Sequence, residues 1–405
     1  MDKEPTSERP LAGIRVIDAA TFIAAPFCAT LLGEFGAEVI KVEMPKTGDP
    51  VRRLGSITPE TGDSLIWLSE GRNKKSVTLD LRAPEGARLF KDLTAKADVV
   101  CENFRTGTFE RWGLGYEVLR EINPGLVMLS ITAYGQTGPF AERPGFGRIG
   151  NAFGGLSYLA GFPDRPPVTP GSATLADYMS GLFGALGVVL ALRARDRSGR
   201  GQVVDIGLYE SIFRVLDELA PAYAKFGQVR ERMGPGTVNV VPHSHYQAKD
   251  GRWVAIACTN DRIFARLAKL MERPEIAGDG IYGTIGKREA ARAEVDQMVA
   301  DWCARFPRAE ILALCDTGEV PCGPVYAIDE IFDDPQYRAR GNIAEIEDPR
   351  AGHIAVPNVI PRLTETPGTI DWLGTELGAH VRDVFGELLG LDDAEIDDLR
   401  ARGVI

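Results

Sequence analysis

The stretch IRVIDAATFIAAPFCATLLGEFGAEVIKVE (14–43) changes period twice. IRVIDAA (14–20) is a short apolar run of the kind a fully buried strand carries. PFCATLLGEFG (26–36) has helical spacing, with Pro26 suited to the first turn and Gly36 to the C-terminal cap. AEVIKVE (37–43) reads as a second buried strand. Farther along, SVTLDL (76–81) is a third strand and a helix is predicted over 84–95. ADVVCENF, YEVLREIN and LVMLSITAY then continue the strand–helix–strand order. Such alternation predicts an α/β fold whose large domain is Rossmann-like, a mainly parallel sheet covered by helices. The turn after the first strand, ATFIAAP, is not GxGxxG. A pyrophosphate therefore finds no glycine path to the backbone, which excludes a nicotinamide or flavin enzyme.

With 405 residues the chain is long enough for two domains. Its net charge of −11 argues against nucleic acid and anionic membranes as partners, while leaving room for a local basic site for a small anion. The longest apolar run, 181–192, has 12 residues, too short to span a bilayer. MDKEPTSERP at the N-terminus is charged and has no signal-peptide core, and reads as a short disordered tail. Six cysteines without a CxxC pair, beside only four histidines, suggest no metal site. They fit reduced thiols in the cytoplasm.

Residues 136–172 are rich in Gly and Pro and read as irregular loops over the carboxyl edge of the sheet. Next comes ATLADYMSGLFGALGVVLAL (173–192), with Asp177 at the head of an apolar helix. SGRGQ (198–202) is a turn, and VVDIGLYESIFRVL passes from strand to helix. HYQAKDGRWVAIAC (245–258) reads as a hairpin with KDG at its turn. Helices are predicted near 260–271, 287–304 and 308–315, and two amphipathic helices close the chain. The resulting domains are 10–224 (Rossmann-like), 225–330 (small, α+β) and 331–405 (returning to the large domain).

Open α/β sheets bind ligands at the carboxyl ends of their strands. Leu79, Asp80, Leu81 and Arg82 close the third strand. Asn103, Phe104 and Arg105 close the fourth, and Arg111 follows shortly. Ala24 and Pro26 open the first helix, whose free N–H groups favour an anion. Three arginines and a helix N-terminus fit a phosphorylated ligand; a solvated surface fits the arginines as well. Asp177 also has two readings. It is a helix N-cap, worth ~1 kcal/mol, or a carboxylate nucleophile beside N–H donors.

PLAGIRVIDAATFIAAPFCATLLGEFGAEVIKVE resembles the opening of the family III CoA-transferases. So, in order, do NKKSVTLDLRAPEG with ADVVCENFRTG; ADYMSGLFGALGVVLALRARDRSGRGQVVDIGLYES; DGRWVAIAC with PCGPVYAIDEIFDDPQYRAR; and LTETPG with LGLDDAEIDDLRARGVI. The likeness runs from residue 10 to residue 405. It implies that Asp177 is a covalent nucleophile, and that Ile23, Ala24, Leu79, Asp80, Leu81, Arg82, Asn103, Phe104, Arg105 and Arg111 contact coenzyme A. The implied reaction moves CoA from an acyl-CoA to a carboxylic acid through an aspartyl-CoA thioester. CoA is then a substrate, and no cofactor or metal is permanently bound. Two positions depart from the pattern of formyl-CoA transferase. Met44 stands where that enzyme has an arginine, and GPGTVNVVP (234–242) replaces its glycine-run loop.

The related α-methylacyl-CoA racemases pair this aspartate with an upstream histidine. The matching stretch here, GFGRIG, holds Phe146 and Gly147, and no histidine precedes His243. A racemase therefore lacks its second base, and a non-catalytic CoA-binding paralogue has no need of Asp177. Within the family, RPGFGRIGNAFGG and the opening block resemble the succinyl-CoA:malate and citramalate enzymes. That implies succinyl-CoA as donor and a four- or five-carbon dicarboxylate as acceptor. Mesaconyl-CoA C1–C4 transfer, or transfer to another dicarboxylate, is the alternative. Arg148 is the candidate partner for a distal carboxylate, with a surface position as its other reading. His243 and His245 in PHSHYQ read as structural or surface residues. Family members form interlocked dimers, so a homodimer is implied, with a heteromer of paralogous chains as alternative.

Overall fold

In the computed structural model, which describes residues 9–172 and 174–405, the 14–43 stretch is a strand, a helix and a strand. They are β1 (Arg15–Asp18), the helix Ala24–Glu34 and β2 (Glu38–Glu43). The charged N-terminal tail lies, through residue 8, outside the described residues. The helix stops where Gly36 takes φ +103°, a backbone that L side chains rarely adopt. A Cβ there would also stand 2.5 Å from that of Arg9.

The next strands are β3 (Lys74–Thr78), β4 (Val99–Glu102), β5 (Val127–Thr132) and β6 (Val203–Gly207). All six form one sheet in the order β3-β2-β1-β4-β5-β6, every pair parallel. This is the Rossmann order. Helices cover both faces, as two separate cores show. One holds Phe90, Leu93, Phe109 and Phe385; the other holds Cys28, Leu32, Val188 and Leu192. A hairpin, β10 (Ile343–Asp348) with β11 (Gly352–Pro357), and the two closing helices belong to the same unit, which comprises 9–158, 169–229 and 341–405.

Residues 230–340 form a second unit together with 159–168, a segment the sequence reading places in the large domain. Gly161 accepts the Gly234 N–H at 2.9 Å, and Gly234 packs on the Phe162 ring. The unit's sheet is antiparallel: β7 (His243–Gln247), β8 (Trp253–Ala257) and β9 (Cys322–Pro324). The single helix predicted over 287–304 is two, Ile285–Ala290 and Arg292–Cys303. Arg288, fully buried in the first, donates to the carbonyls of Val241 and Tyr282 and to Asp261.

Two further expectations are corrected. Residues 136–172 are not all irregular, since a helix spans Gly147–Phe153. Its glycines serve packing: a Cβ on Gly150 would meet those of Leu208 and Ala176 at 2.9 and 3.0 Å. The 12-residue apolar run also understates its element. The helix Leu175–Ser198 has 24 residues and is, by length and composition, long and apolar enough to cross a membrane. It lies against the helix Ala24–Glu34 and β5, burying Ala176, Ser180, Gly181, Gly184 and Val188. Its other face exposes Leu182, Leu186 and Leu190.

Candidate active site

The strand order reverses between β1 and β4, so the loops leaving their carboxyl ends part and open a crevice. A cavity of about 260 Å³ lies there. Thr21, Phe22, Ile23 and Ala24 wall it after β1, and Asn103, Phe104 and Arg105 after β4. The end of β5, Phe146, Leu208 and Asp177 complete it.

Both loops are held by polar groups, a half-buried Asn103 and a buried Glu102. Asn103 takes the Thr21 N–H at 2.8 Å and donates to the Thr21 carbonyl at 2.7 Å. Glu102 accepts the Phe104 N–H at 2.8 Å, and burial pushes its carboxyl up to about 7. Under the first loop, four buried charges come together from three strands and the turn after β2. Lys74 meets Asp18 at 2.9 Å, and Lys41 meets Asp49 at 2.8 Å and Asp18 at 3.6 Å. The lysines also donate to the loop itself, Lys41 to the Ala20 carbonyl and Lys74 to that of Pro26. Burial alone would push the Lys41 ammonium down, but Asp18, Asp49 and Glu43 more than offset it and hold it above the ordinary lysine range.

Asp177 is not the helix cap. Thr174 is the cap residue, without a side-chain cap bond, and Asp177 sits within the first turn. Burial pushes its carboxyl up to about 7, against a smaller opposing hydrogen bond from its own backbone. Its turn is fixed from three sides. Tyr178 packs edge-on to Phe27, with ring centres 4.8 Å apart. The Ser180 hydroxyl donates to that of Ser211 at 3.0 Å. Gly181 lets the helix lie on the start of Ala24–Glu34, since a Cβ there would stand 2.5 Å from the Ala24 carbonyl oxygen. Backbone cannot yield as a side-chain end does. Gly181→Ala is therefore expected to cost ~1–3 kcal/mol, read as a lower urea midpoint with an unchanged slope.

A second cavity, about 250 Å³, shares Thr21 and Phe104 with the first. Leu79, Leu81 and Arg82, in the loop beyond β3, line it with Met44 and Trp112. Asp80 clamps Arg82 by two bonds of 2.8 and 2.9 Å, and Arg82 also reaches the Met44 sulfur at 3.3 Å. Of the residues singled out from sequence, Ile23, Ala24, Asn103, Phe104 and Arg105 thus share the Asp177 cavity. Arg111 instead turns to the Thr108 hydroxyl at 2.8 Å. Arg148 bonds the Thr169 hydroxyl at 2.9 Å and is not among the residues lining the Asp177 cavity. Phe22 and Trp112 escaped the sequence reading. Phe22 adopts φ +62°, a conformation nothing in its residue type announces.

A buried carboxylate of raised basicity thus lines a cavity at the switch point of a Rossmann sheet, and a second cavity adjoins it through Thr21 and Phe104. The chain belongs to CoA-transferase family III, whose family model matches residues 11–381. The beta subunit of succinyl-CoA–L-malate CoA-transferase from Chloroflexus aurantiacus is 56% identical, over 99% of both chains. The alpha subunit from the same organism is 53% identical over 98% of this chain and 92% of its own. Among solved structures, a CAIB/BAIF family protein from Brucella suis superposes with a TM-score of 0.83 at 34% identity, covering 94% of this chain and all of its own.

Proposed function

We propose that the protein transfers CoA from succinyl-CoA to a four- or five-carbon dicarboxylate, L-malate foremost, with Asp177 as nucleophile. One observation carries this reading: Asp177, its carboxyl near 7, lines the cavity at the switch point together with the loops after β1 and β4. Each cavity is small on the scale of ligand pockets, ~300–1,000 Å³. A CoA ester spans both, its thioester by Asp177 and its nucleotide toward Arg82. Arg82 and Arg105, which line the two cavities, supply the positive charge for its phosphates.

The Asp177 carboxylate attacks the thioester carbonyl, giving a mixed anhydride and a CoA thiolate. The thiolate attacks the Asp177 carbonyl, releasing succinate and leaving an aspartyl-CoA thioester. The acceptor carboxylate attacks that thioester and expels the thiolate. The thiolate then takes the new acyl group and frees Asp177. Thioester energy is kept throughout, so no ATP is consumed. The held nucleotide keeps the thiolate at high effective concentration beside the anhydride.

The malate reading draws on the relatives' names, and the alpha and beta subunits among them support two arrangements, a homodimer or a pair of paralogous chains. The exposed apolar residues Leu182, Leu186 and Leu190, along one face of the helix Leu175–Ser198, support a partner on that face. The test is purified protein with succinyl-CoA and, separately, L-malate, D-malate, citramalate, mesaconate and glutarate, with the CoA esters resolved by mass spectrometry. L-malyl-CoA is expected as the major product. Hydrolysis alone, or a preference for monocarboxylic acceptors, would sink the assignment.

A further inference from the structure

Phe22 is bulky, yet it sits at φ +62°, a region that costs a non-glycine residue energy and persists only where the surroundings impose it. The surroundings here are unusually firm. Asp49 accepts the Phe22 N–H at 3.0 Å and is itself held by Lys41 at 2.8 Å. Asn103 fixes both backbone groups of Thr21, and Lys41 takes the Ala20 carbonyl. The cluster behind the loop is sealed: Asp18, Lys41, Asp49 and Lys74 are all nearly inaccessible. This backbone presents the Phe22 ring on the wall of the Asp177 cavity. There it meets Phe146 edge-on, ring centres 5.9 Å apart and planes at 78°. Phe146 lines the same cavity and is 68% exposed, so the pair carries the cavity wall out to the protein surface.

We propose that Phe22, with Phe146, is the water-excluding wall of the site, and that the buried Asp18–Lys41–Asp49–Lys74 cluster is the device that positions it. This rests on the reading of Asp177 as the acyl-carrying nucleophile. Both acyl intermediates on Asp177 are open to water. Water adding to the aspartyl-CoA carbonyl would form a carbon–oxygen bond and expel the CoA thiolate. The Asp177 carboxylate and free CoA thiol would be regenerated, with one proton released to solvent. Each such event wastes a thioester. An apolar wall at this point lets the acceptor carboxylate compete with water.

The experiment measures, in the same reaction, succinyl-CoA hydrolysed and succinyl-CoA converted to product ester. Phe22→Gly removes the ring and suits the left-handed backbone, so the loop is retained. Phe146→Ala removes the partner ring, and Phe22→Tyr keeps the wall. Phe22→Gly and Phe146→Ala are each expected to raise the ratio of hydrolysis to transfer by roughly tenfold, with Phe22→Tyr close to wild type. A purely structural role would lower both rates together and leave the ratio alone. An unchanged ratio in both variants, while transfer proceeds, overturns the wall and leaves the nucleophile reading intact. A wild-type protein that transfers no acyl group would overturn both.

Discussion

Asp177→Asn is expected to reduce CoA transfer by roughly 10⁴-fold or more in a protein that still folds. Asn keeps the shape but has no carboxylate to attack the thioester. Incubation with succinyl-CoA and hydroxylamine should modify the wild type on the peptide carrying Asp177, and leave the variant unmodified. Wild-type kcat/KM should fall about tenfold per pH unit below a midpoint near 7, where burial places the carboxyl and protonation removes the nucleophile. The stability effect has the opposite sense. The folded state binds the proton more tightly than the unfolded chain, whose aspartate titrates near 3.8. The anion therefore costs the fold nothing below that pH, and its cost grows as pH rises toward about 7 and then stays constant. Asn relieves it, so the variant should unfold at the same temperature or higher than wild type at pH 8, with the gap closing toward pH 4. A variant with near-normal turnover, or an adduct mapped to Cys28, would overturn the mechanism.

Lys74→Met carries the second large effect, this time on stability. The ammonium meets Asp18 at 2.9 Å and the Pro26 carbonyl at 2.7 Å, with both charged side chains essentially out of water. The carbonyl keeps the Thr30 hydroxyl 3.0 Å away, a donor whose one proton is shared with the Glu70 carbonyl at 2.6 Å. Asp18 is left with the Ala20 N–H at 3.2 Å and Lys41 at 3.6 Å, and Lys41 is already engaged by Asp49. A neutral cluster becomes a buried anionic one, at a cost of roughly 3–5 kcal/mol, read from urea unfolding. Asp18→Asn combined with Lys74→Met restores neutrality and should recover part of that loss, a coupling that a double-mutant cycle measures. Additive losses would show that the charges do not act as a unit. Because the same cluster holds the loop from Ala20 to Pro26, the single variant should also raise the KM for succinyl-CoA.

Much of the sheet was legible because its central strands are buried on both faces and lie in mostly apolar runs, IRVIDAA and VMLSIT among them. Helix spacing between them settled the order of elements, and the missing glycine fingerprint ruled out a dinucleotide. The strand-end rule selected Asn103–Arg105 and Leu79–Arg82, and both segments line the cavities. What stayed hidden was set by tertiary packing. Gly150 falls in a stretch that reads as loop and is instead a point where helices touch. The β10–β11 hairpin is short, with IAEIED alternating only in part, and gave no clear period. Phe22 needs a left-handed backbone imposed by residues far along the chain. Asp49 lies 27 positions away and Asn103 makes its contact with Thr21 across 82. The buried lysines were equally silent, since nothing in VIKVE or NKKSV says that the ammonium points inward.

The burial of Asp177 also bears on which way the mixed anhydride breaks. The anhydride joins two acyl groups, and the thiolate can expel either carboxylate. A free carboxylic acid titrates near about 4, whereas the Asp177 carboxyl sits near 7. The substrate acid is then the weaker base and the better leaving group. Under the proposed mechanism this favours attack at the Asp177 carbonyl in both anhydrides, the one formed from succinate and the one formed from the acceptor. The low-polarity pocket then favours the aspartyl-CoA thioester over either ester and gives the exchange no direction of its own.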